Sequence, residues 1–181
     1  MSTSARKHPS HSRGFTLLEL MITLLVAGIL LGVGVPSFRR MMAVNRVTTQ
    51  SNDLVGAIRY ARSEAITRNS NVTLCRAALA GSTACSTSTA AWNFWILRNA
   101  AGTVLRRGTI NTYNGALQVT SDLSSSSVTF GSDGLARTGG AVVNNSAFIV
   151  CTNFTDIDNM RRLELGASSR LSTTKESGTC P

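Results

Sequence analysis

The most constraining feature of this chain is an apolar run of 21 residues, 15–35, in which the only ionisable side chain is Glu19. At 1.5 Å per residue, a helix of this length spans about 30 Å, the hydrocarbon thickness of a bilayer. A carboxylate inside such a helix costs about 3 kcal/mol on insertion, so it normally has a partner. The run therefore predicts a membrane helix in which Glu19 has a functional role.

A short basic leader, residues 1–14, directly precedes this run. A secretory leader has its cleavage site after its apolar segment, whereas the best cleavage position here lies before the segment, after Gly14. Cleavage there exposes the amino group of Phe15, which is a candidate partner for Glu19. An ordinary signal anchor or a cleavable secretory leader is the alternative interpretation.

The junction reads Gly14-Phe15-Thr16-Leu17-Leu18-Glu19, and it resembles the class III signal of type IV pilins and type II secretion pseudopilins. In that family a prepilin peptidase cleaves between glycine and phenylalanine and methylates the new amino terminus. The resemblance implies cleavage between Gly14 and Phe15 and N-methylation of Phe15. It also implies that Glu19 acts in subunit assembly.

Basic residues flank the apolar run on both sides in nearly equal number, so the positive-inside rule does not orient it. The resemblance to prepilins places the leader in the cytoplasm. It therefore implies a single-pass protein of the inner membrane with its head domain in the periplasm, incorporated into a pilus or pseudopilus.

Composition excludes several classes of function. Without the leader the chain keeps 15 basic and 9 acidic residues, a net charge of +6, and it loses both histidines, His8 and His11. No imidazole then remains for a Ser-His-Asp site, a Cys-His site or a histidine metal site. The carboxylates are scattered, and no glycine-rich phosphate loop follows a strand. We therefore expect no enzymatic activity, no cofactor and no metal.

The helical pattern continues beyond Pro36. An apolar stripe recurs at helical spacing, and its members are Val47, Leu54, Ile58, Ala61 and Ala65. Glu64 can pair with Arg68 at i,i+4, and Asn69-Ser70-Asn71 supplies turn chemistry. We expect one helix from residue 15 to about residue 68. Its transmembrane part covers 15–36, and its amphipathic continuation lies within 37–70.

Residues 71–181 are predicted to form a β-rich head. Seven short strand patterns, separated by glycine and asparagine turns, cover 72–76, 92–97, 104–110, 117–120, 127–130, 147–151 and 162–165. The expected fold class is α+β, with an antiparallel sheet packed on the apolar stripe of the long helix. Trp92 and Trp95 are expected in the core, and a base-stacking platform is the alternative.

Four motifs stand out in the body of the chain: Ala61-Arg62-Ser63-Glu64-Ala65, the stretch 69–75, Trp92 followed by Phe94-Trp95-Ile96, and Val128-Thr129-Phe130 before Gly131-Ser132-Asp133-Gly134. Together they resemble the FimT/GspH family of minor pilins and pseudopilins over essentially the whole mature chain. The resemblance implies a pilin fold. It also implies three partners: other pilin or pseudopilin subunits, the prepilin peptidase and the inner membrane.

Four cysteines, Cys75, Cys85, Cys151 and Cys180, form no C-x-x-C pair, which disfavours a zinc site. An even number in a domain beyond the inner membrane predicts disulfides, for which three connectivities are possible. We favour Cys75–Cys85, which closes the loop after the first strand, and Cys151–Cys180, which ties the tail to a central strand. Four free buried thiols are the alternative.

Near the C terminus, a candidate DNA-binding patch consists of Arg161, Arg162, Arg170 and Lys175. Some FimT-like minor pilins are thought to bind DNA through a C-terminal Gly-Arg-x-Arg motif. This chain has Ser169-Arg170-Leu171-Ser172 at the matching place, so it retains only Arg170. A solvated basic face is the alternative interpretation.

The predicted function is therefore structural: a minor pilin or pseudopilin that acts in filament initiation or at the tip of a type IV pilus or a type II secretion pseudopilus. The cysteine pairs and the arginine-rich tail favour the pilus. Two alternatives remain open at this point. One is a DNA-binding minor pilin for DNA uptake through the basic C-terminal region, and the other is an unrelated membrane-anchored binding domain.

Overall fold

A computed structural model describes residues 14–154 and 158–181. Except for Gly14, the predicted leader lies outside the described residues. The described residues divide into two compact units between Arg39 and Arg40; we call the first the anchor unit and the second the head unit.

One long helix, α1 (Leu17–Thr67), accounts for most of the first 67 residues and has Pro36 in its interior. Its C-terminal end is a Schellman motif, in which Ser70 N–H donates to Ala65 O and Asn69 N–H donates to Ile66 O. Asn69 supplies the left-handed residue of this motif, with φ at 48°. The helix therefore ends at the Asn69-Ser70-Asn71 turn, as the sequence predicts.

Ten strands follow the helix: β1 (Val72–Ala77), β2 (Phe94–Asn99), β3 (Val104–Thr109), β4 (Leu117–Ser121), β5 (Ser127–Phe130), β6 (Ala136–Thr138), β7 (Ala141–Val142), β8 (Asn145–Thr152), β9 (Met160–Gly166) and β10 (Leu171–Glu176). They form a six-stranded sheet in the order β3-β2-β1-β5-β6-β7 and a four-stranded sheet in the order β10-β9-β8-β4. All the pairings are antiparallel. The α+β fold class expected from the sequence is confirmed.

One hydrophobic core joins the helix to both sheets in the head unit. The predicted stripe on α1 is buried along its whole length. It packs with Leu74, Leu97 and Phe130 of the six-stranded sheet and with Phe148 and Leu163 of the four-stranded sheet. Both tryptophans belong to this core, and Trp92 meets Phe148 edge to face with ring centroids 5.1 Å apart. Core packing is therefore confirmed, and the base-stacking alternative for Trp92 and Trp95 is wrong because neither ring face is accessible.

Three strands have no counterpart in the sequence prediction, namely β6, β7 and β10. β6 and β7 form a hairpin around Gly139 and Gly140, whose φ angles are +56° and +86°. The turn is evident in the sequence, but strands of two and three residues are too short to show an alternating pattern. β10 is an edge strand that reads Leu-Ser-Thr-Thr-Lys-Glu. Most of its side chains face solvent, so its apolar signal is weak.

The head unit contains two disulfides, Cys75–Cys85 and Cys151–Cys180, the pairing that the sequence favours. The first holds the segment after β1 over the outer face of the six-stranded sheet. There Cys85, Phe94 and Val104 pack against Cys75 and Ile96. The second ties the end of the chain to β8. Zinc binding by these cysteines is excluded because each thiol is used in a disulfide.

Candidate functional site

The first candidate site is the N-terminal end of α1, where the predicted cleavage position meets the helix. Thr16 caps the helix: its Oγ1 accepts a hydrogen bond from Glu19 N–H at 3.2 Å, and its carbonyl accepts one from Leu20 N–H at 3.2 Å. Threonine at the N-cap and glutamate at the third helical position have the composition of a capping box. The helix therefore begins at Leu17, and the Gly14–Phe15 peptide bond lies outside it.

Every residue from 14 to 42 is exposed, although most of the large side chains among them are apolar. Phe15 is 85% exposed and Leu17 is 76% exposed. By length and composition α1 qualifies as a membrane-spanning helix, and the qualifying segment makes no buried contacts within the described chain. Apolar surface on this scale requires lipid or other apolar helices to cover it.

Glu19 is the one charged side chain on this apolar surface up to Val35. Within residues 14–154 and 158–181 its carboxylate makes no ion pair and accepts no hydrogen bond. A carboxylate placed in hydrocarbon needs a cationic or hydrogen-bonding partner. The site thus presents an exposed peptide bond at Gly14–Phe15 and, one helical turn further on, an acceptor that the described chain does not satisfy.

The four basic residues of the candidate DNA-binding patch do not form one surface. Arg161 is 5% exposed, and its guanidinium donates hydrogen bonds to Asp158 O, Met160 O and Thr48 Oγ1. Its position facing α1 removes it from any contact with phosphate. Arg162, the next residue of β9, lies on the opposite face of the sheet because side chains alternate along a strand.

The remaining two residues of that patch are exposed but separated. Lys175 is opposite Arg161 in the β9–β10 register, so it lies on the other face from Arg162. Arg170 lies in the turn between β9 and β10. The prediction of a joint patch of Arg161, Arg162, Arg170 and Lys175 is therefore corrected, since strand alternation distributes these cations over two faces and a turn.

Arg62 and Ser169 form a junction that the sequence prediction does not include. Ser169, buried and in the left-handed region with φ at 60°, accepts Ala136 N–H on its Oγ at 2.5 Å. Its carbonyl accepts a hydrogen bond from the Arg62 guanidinium at 3.1 Å. These two contacts link α1, β6 and the β9–β10 turn. Arg62 is part of a motif evident in the sequence, but only the fold shows what it binds.

Two surface ion pairs shift pKa values in the head unit. Arg68 hydrogen-bonds the Glu64 carboxylate, as the i,i+4 spacing predicts, and this bond holds the pKa of Glu64 below its usual range. Arg137 hydrogen-bonds Asp133, with Nη2 at 2.6 Å from Oδ2. That bond and the backbone N–H of Leu135 hold the pKa of Asp133 well below its usual range. Both pairs are exposed and neither forms a catalytic arrangement.

The described residues contain no group of three or more histidine, cysteine, aspartate or glutamate side chains arranged to hold a metal ion. The features that remain are an exposed apolar N-terminal helix with one carboxylate and a head of two antiparallel sheets packed on a helix. These features define the class of pilin-like proteins, which comprises pilins and pseudopilins.

Two family models match the chain. The model described as "Type II transport protein GspH" matches residues 50–169, and the model described as "Prokaryotic N-terminal methylation motif" matches residues 9–35. The first match covers more than half of the chain, so the protein belongs to the GspH family of minor pilins and pseudopilins. No curated protein sequence matches the chain.

Solved structures show the same fold. The type IV minor pilin FimU of Pseudomonas aeruginosa strain PAO1 is 19% identical and has a TM-score of 0.52, covering 74% of this chain and 99% of that one. The minor pseudopilin EpsH from the type 2 secretion system of Vibrio cholerae is 10% identical and has a TM-score of 0.50, covering 72% of this chain and 97% of that one. Both the pilin fold and the resemblance stated from the sequence are confirmed.

Proposed function

We propose that this protein is a non-enzymatic subunit of a type IV pilus or a type II secretion pseudopilus, in filament initiation or at the tip. Residues 15–36 anchor it in the inner membrane, and the head lies in the periplasm. The observation that carries the proposal is the exposed apolar helix with a single unpartnered carboxylate directly after a prepilin-type cleavage motif. Membership of the GspH family supports assembly with other pilin or pseudopilin subunits.

In this proposal the prepilin peptidase cleaves between Gly14 and Phe15 and methylates the amino group of Phe15. The free amine then becomes a cation near the start of α1. Glu19 pairs with the Phe15 amine of a neighbouring subunit, because an opposite charge is the partner that a carboxylate in hydrocarbon requires. The attraction is strong in that setting, since the effective dielectric constant is low.

A substitution at Glu19 tests this role. Glu19→Ala should insert in the membrane and be cleaved normally, yet its recovery in sheared filaments or pseudopili should fall at least about tenfold, the effect of losing one charge-assisted contact. Thr23→Ala is the matched control, because Thr23 lies one turn further on and its hydroxyl donates only to Leu20 O. Immunoblots of the membrane and filament fractions measure both variants. Equal recovery of Glu19→Ala and the parent protein would overturn the proposed pairing.

A further inference from the structure

The anchor unit ends with a single arginine. After Glu19, no charged side chain occurs in α1 until Arg39, 20 positions further on. Phe38, which is 61% exposed, extends the apolar surface to the residue before this arginine. Arg39 is itself exposed. Between Val35 and Arg39, about one helical turn, the surface of the anchor unit therefore changes from apolar to cationic.

The guanidinium of Arg39 makes no hydrogen bond and no ion pair among the described residues. The helix itself does not supply a carboxylate, because only side chains three or four positions apart meet on a helix. The nearest acidic residues of α1 are Glu19 and Asp53, at separations of 20 and 14 positions. The neighbouring Arg40 differs, since it has a contact within the structure. The charge of Arg39 is thus free for an anion outside the described residues.

Helix geometry places Arg39 at the depth of lipid headgroups. The hydrocarbon core of a bilayer is about 30 Å thick, and the bilayer with its headgroups is about 40–45 Å thick. At 1.5 Å per residue, the rise from Phe15 to Arg39 is about 36 Å. When Phe15 lies at one boundary of the hydrocarbon core, Arg39 therefore lies about 6 Å beyond the other boundary, inside the opposite headgroup layer.

The anion at that depth is the phosphate of a phospholipid. A guanidinium has five N–H donors and no acceptor, and it binds a phosphate with two parallel hydrogen bonds. In the proposed orientation Arg39 lies on the periplasmic side, whereas the positive-inside rule concentrates basic residues on the cytoplasmic side. The rule that orients membrane helices therefore does not explain Arg39, and phosphate binding does.

We propose that Arg39 binds the phosphate group of a phospholipid in the periplasmic leaflet. This contact fixes the depth of the anchor unit in the bilayer and so keeps the Gly14–Phe15 bond at the opposite face. The inference rests on the membrane anchoring proposed above. It adds to that function a phospholipid as the binding partner and Arg39 as the residue that binds it.

Native mass spectrometry of the full-length protein in dodecyl maltoside counts bound lipids and tests this proposal. The parent protein should retain phosphatidylglycerol saturably, and it should not retain diacylglycerol with the same acyl chains, which lacks the phosphate. Arg39→Gln should weaken the apparent affinity for phosphatidylglycerol about fivefold, the effect of one basic residue near an anionic lipid surface. Arg59→Gln is the matched control, because Arg59 is an exposed arginine of α1 in the head unit. It should bind phosphatidylglycerol as the parent protein does.

Equal retention of the two lipids by the parent protein, or full binding by Arg39→Gln, would overturn the proposal. Displacement of the lipid by an equal concentration of inorganic phosphate would overturn the assignment to a membrane lipid. Flotation of the parent protein with phosphatidylglycerol vesicles tests the anchoring separately. Failure to float would contradict the proposed function, whereas flotation without selective lipid binding would contradict only the role of Arg39.

Discussion

At the scale of single residues, the adjacent arginines of β9 have opposite surroundings because successive side chains of a strand point to opposite faces of the sheet. Arg161 turns inward, where its guanidinium reaches Thr48 on α1 and two backbone carbonyls. Arg162 is partly exposed on the outer face. Two arginines that are adjacent in the sequence can therefore have different roles, one packed inside the head and the other on its surface.

We expect Arg161→Met to destabilise the head by about 1–3 kcal/mol, since it removes a buried donor from which Asp158 O, Met160 O and Thr48 Oγ1 each accept a hydrogen bond. Arg162→Met is the matched control and should change the stability by less than about 0.5 kcal/mol. Urea unfolding followed by tryptophan fluorescence measures both. Equal midpoints for the two variants would contradict the structural role of Arg161.

At the scale of elements, the turn between β5 and β6 is stabilised by an ion pair between Asp133 in the turn and Arg137 on β6. Gly131 N–H donates to Leu135 O, and Asp133 accepts from both Leu135 N–H and the Arg137 guanidinium. Gly134 has φ at +72°, which glycine adopts without strain. The hairpin is therefore stabilised both by a backbone turn and by the Asp133–Arg137 ion pair. The folded state favours the ionised form of Asp133.

The Asp133–Arg137 ion pair predicts that the stability of the head depends on pH. Because the folded pKa of Asp133 is depressed, its stabilisation is fully present above the unfolded pKa of about 4 and is lost as the pH falls further. We expect Asp133→Asn to be less stable than the parent protein at pH 7 and to show a smaller loss of stability between pH 5 and pH 3. Urea unfolding across that range measures the difference. Asp53→Asn, which removes an exposed carboxylate that has no ion pair among the described residues, is the matched control, and an equal change of slope in both variants would contradict the role of the Asp133–Arg137 pair.

At the scale of the whole molecule, the anchor unit exposes its apolar side chains, whereas the head unit buries most of its own. Every residue from 14 to 39 is exposed and nearly all are uncharged, which suits hydrocarbon. The head unit buries its apolar side chains in a core shared by α1 and two sheets. A chain with both parts needs apolar surroundings for the anchor unit and water around the head unit.

The proposed processing predicts a defined mature N terminus. In a host with the cognate peptidase, intact-mass measurement should show a mature chain that begins at Phe15 and carries one added methyl group. Gly14→Ala should be cleaved with the smallest loss and Gly14→Val should remain uncleaved, because the scissile bond follows a residue without a side chain. A dominant species that retains Met1, or one cleaved after Val35, would contradict the proposed processing.

Local interactions explain why so much of this protein is evident in its sequence. The apolar run, the buried stripe on α1 and the Asn69 turn each depend on residues within a few positions of one another. The Glu64–Arg68 pair follows from the same i,i+4 spacing. Seven alternating or aromatic segments predict seven of the ten strands of the two sheets. The family resemblance rests on motifs of three to seven residues.

Tertiary structure alone decided the features that depend on distant residues. β10 exists because β9 offers it a pairing edge, and its own polar sequence carries little strand signal. Arg161 is internal because β9 packs against α1, 113 positions away at Thr48. Gln50 and Asp53 of α1 line one cleft with residues 106–109 of β3 only because the edge of the six-stranded sheet lies beside the helix. Helical and turn patterns are set by neighbours along the chain, whereas burial, strand pairing and clefts are set by which surfaces the folded chain brings together.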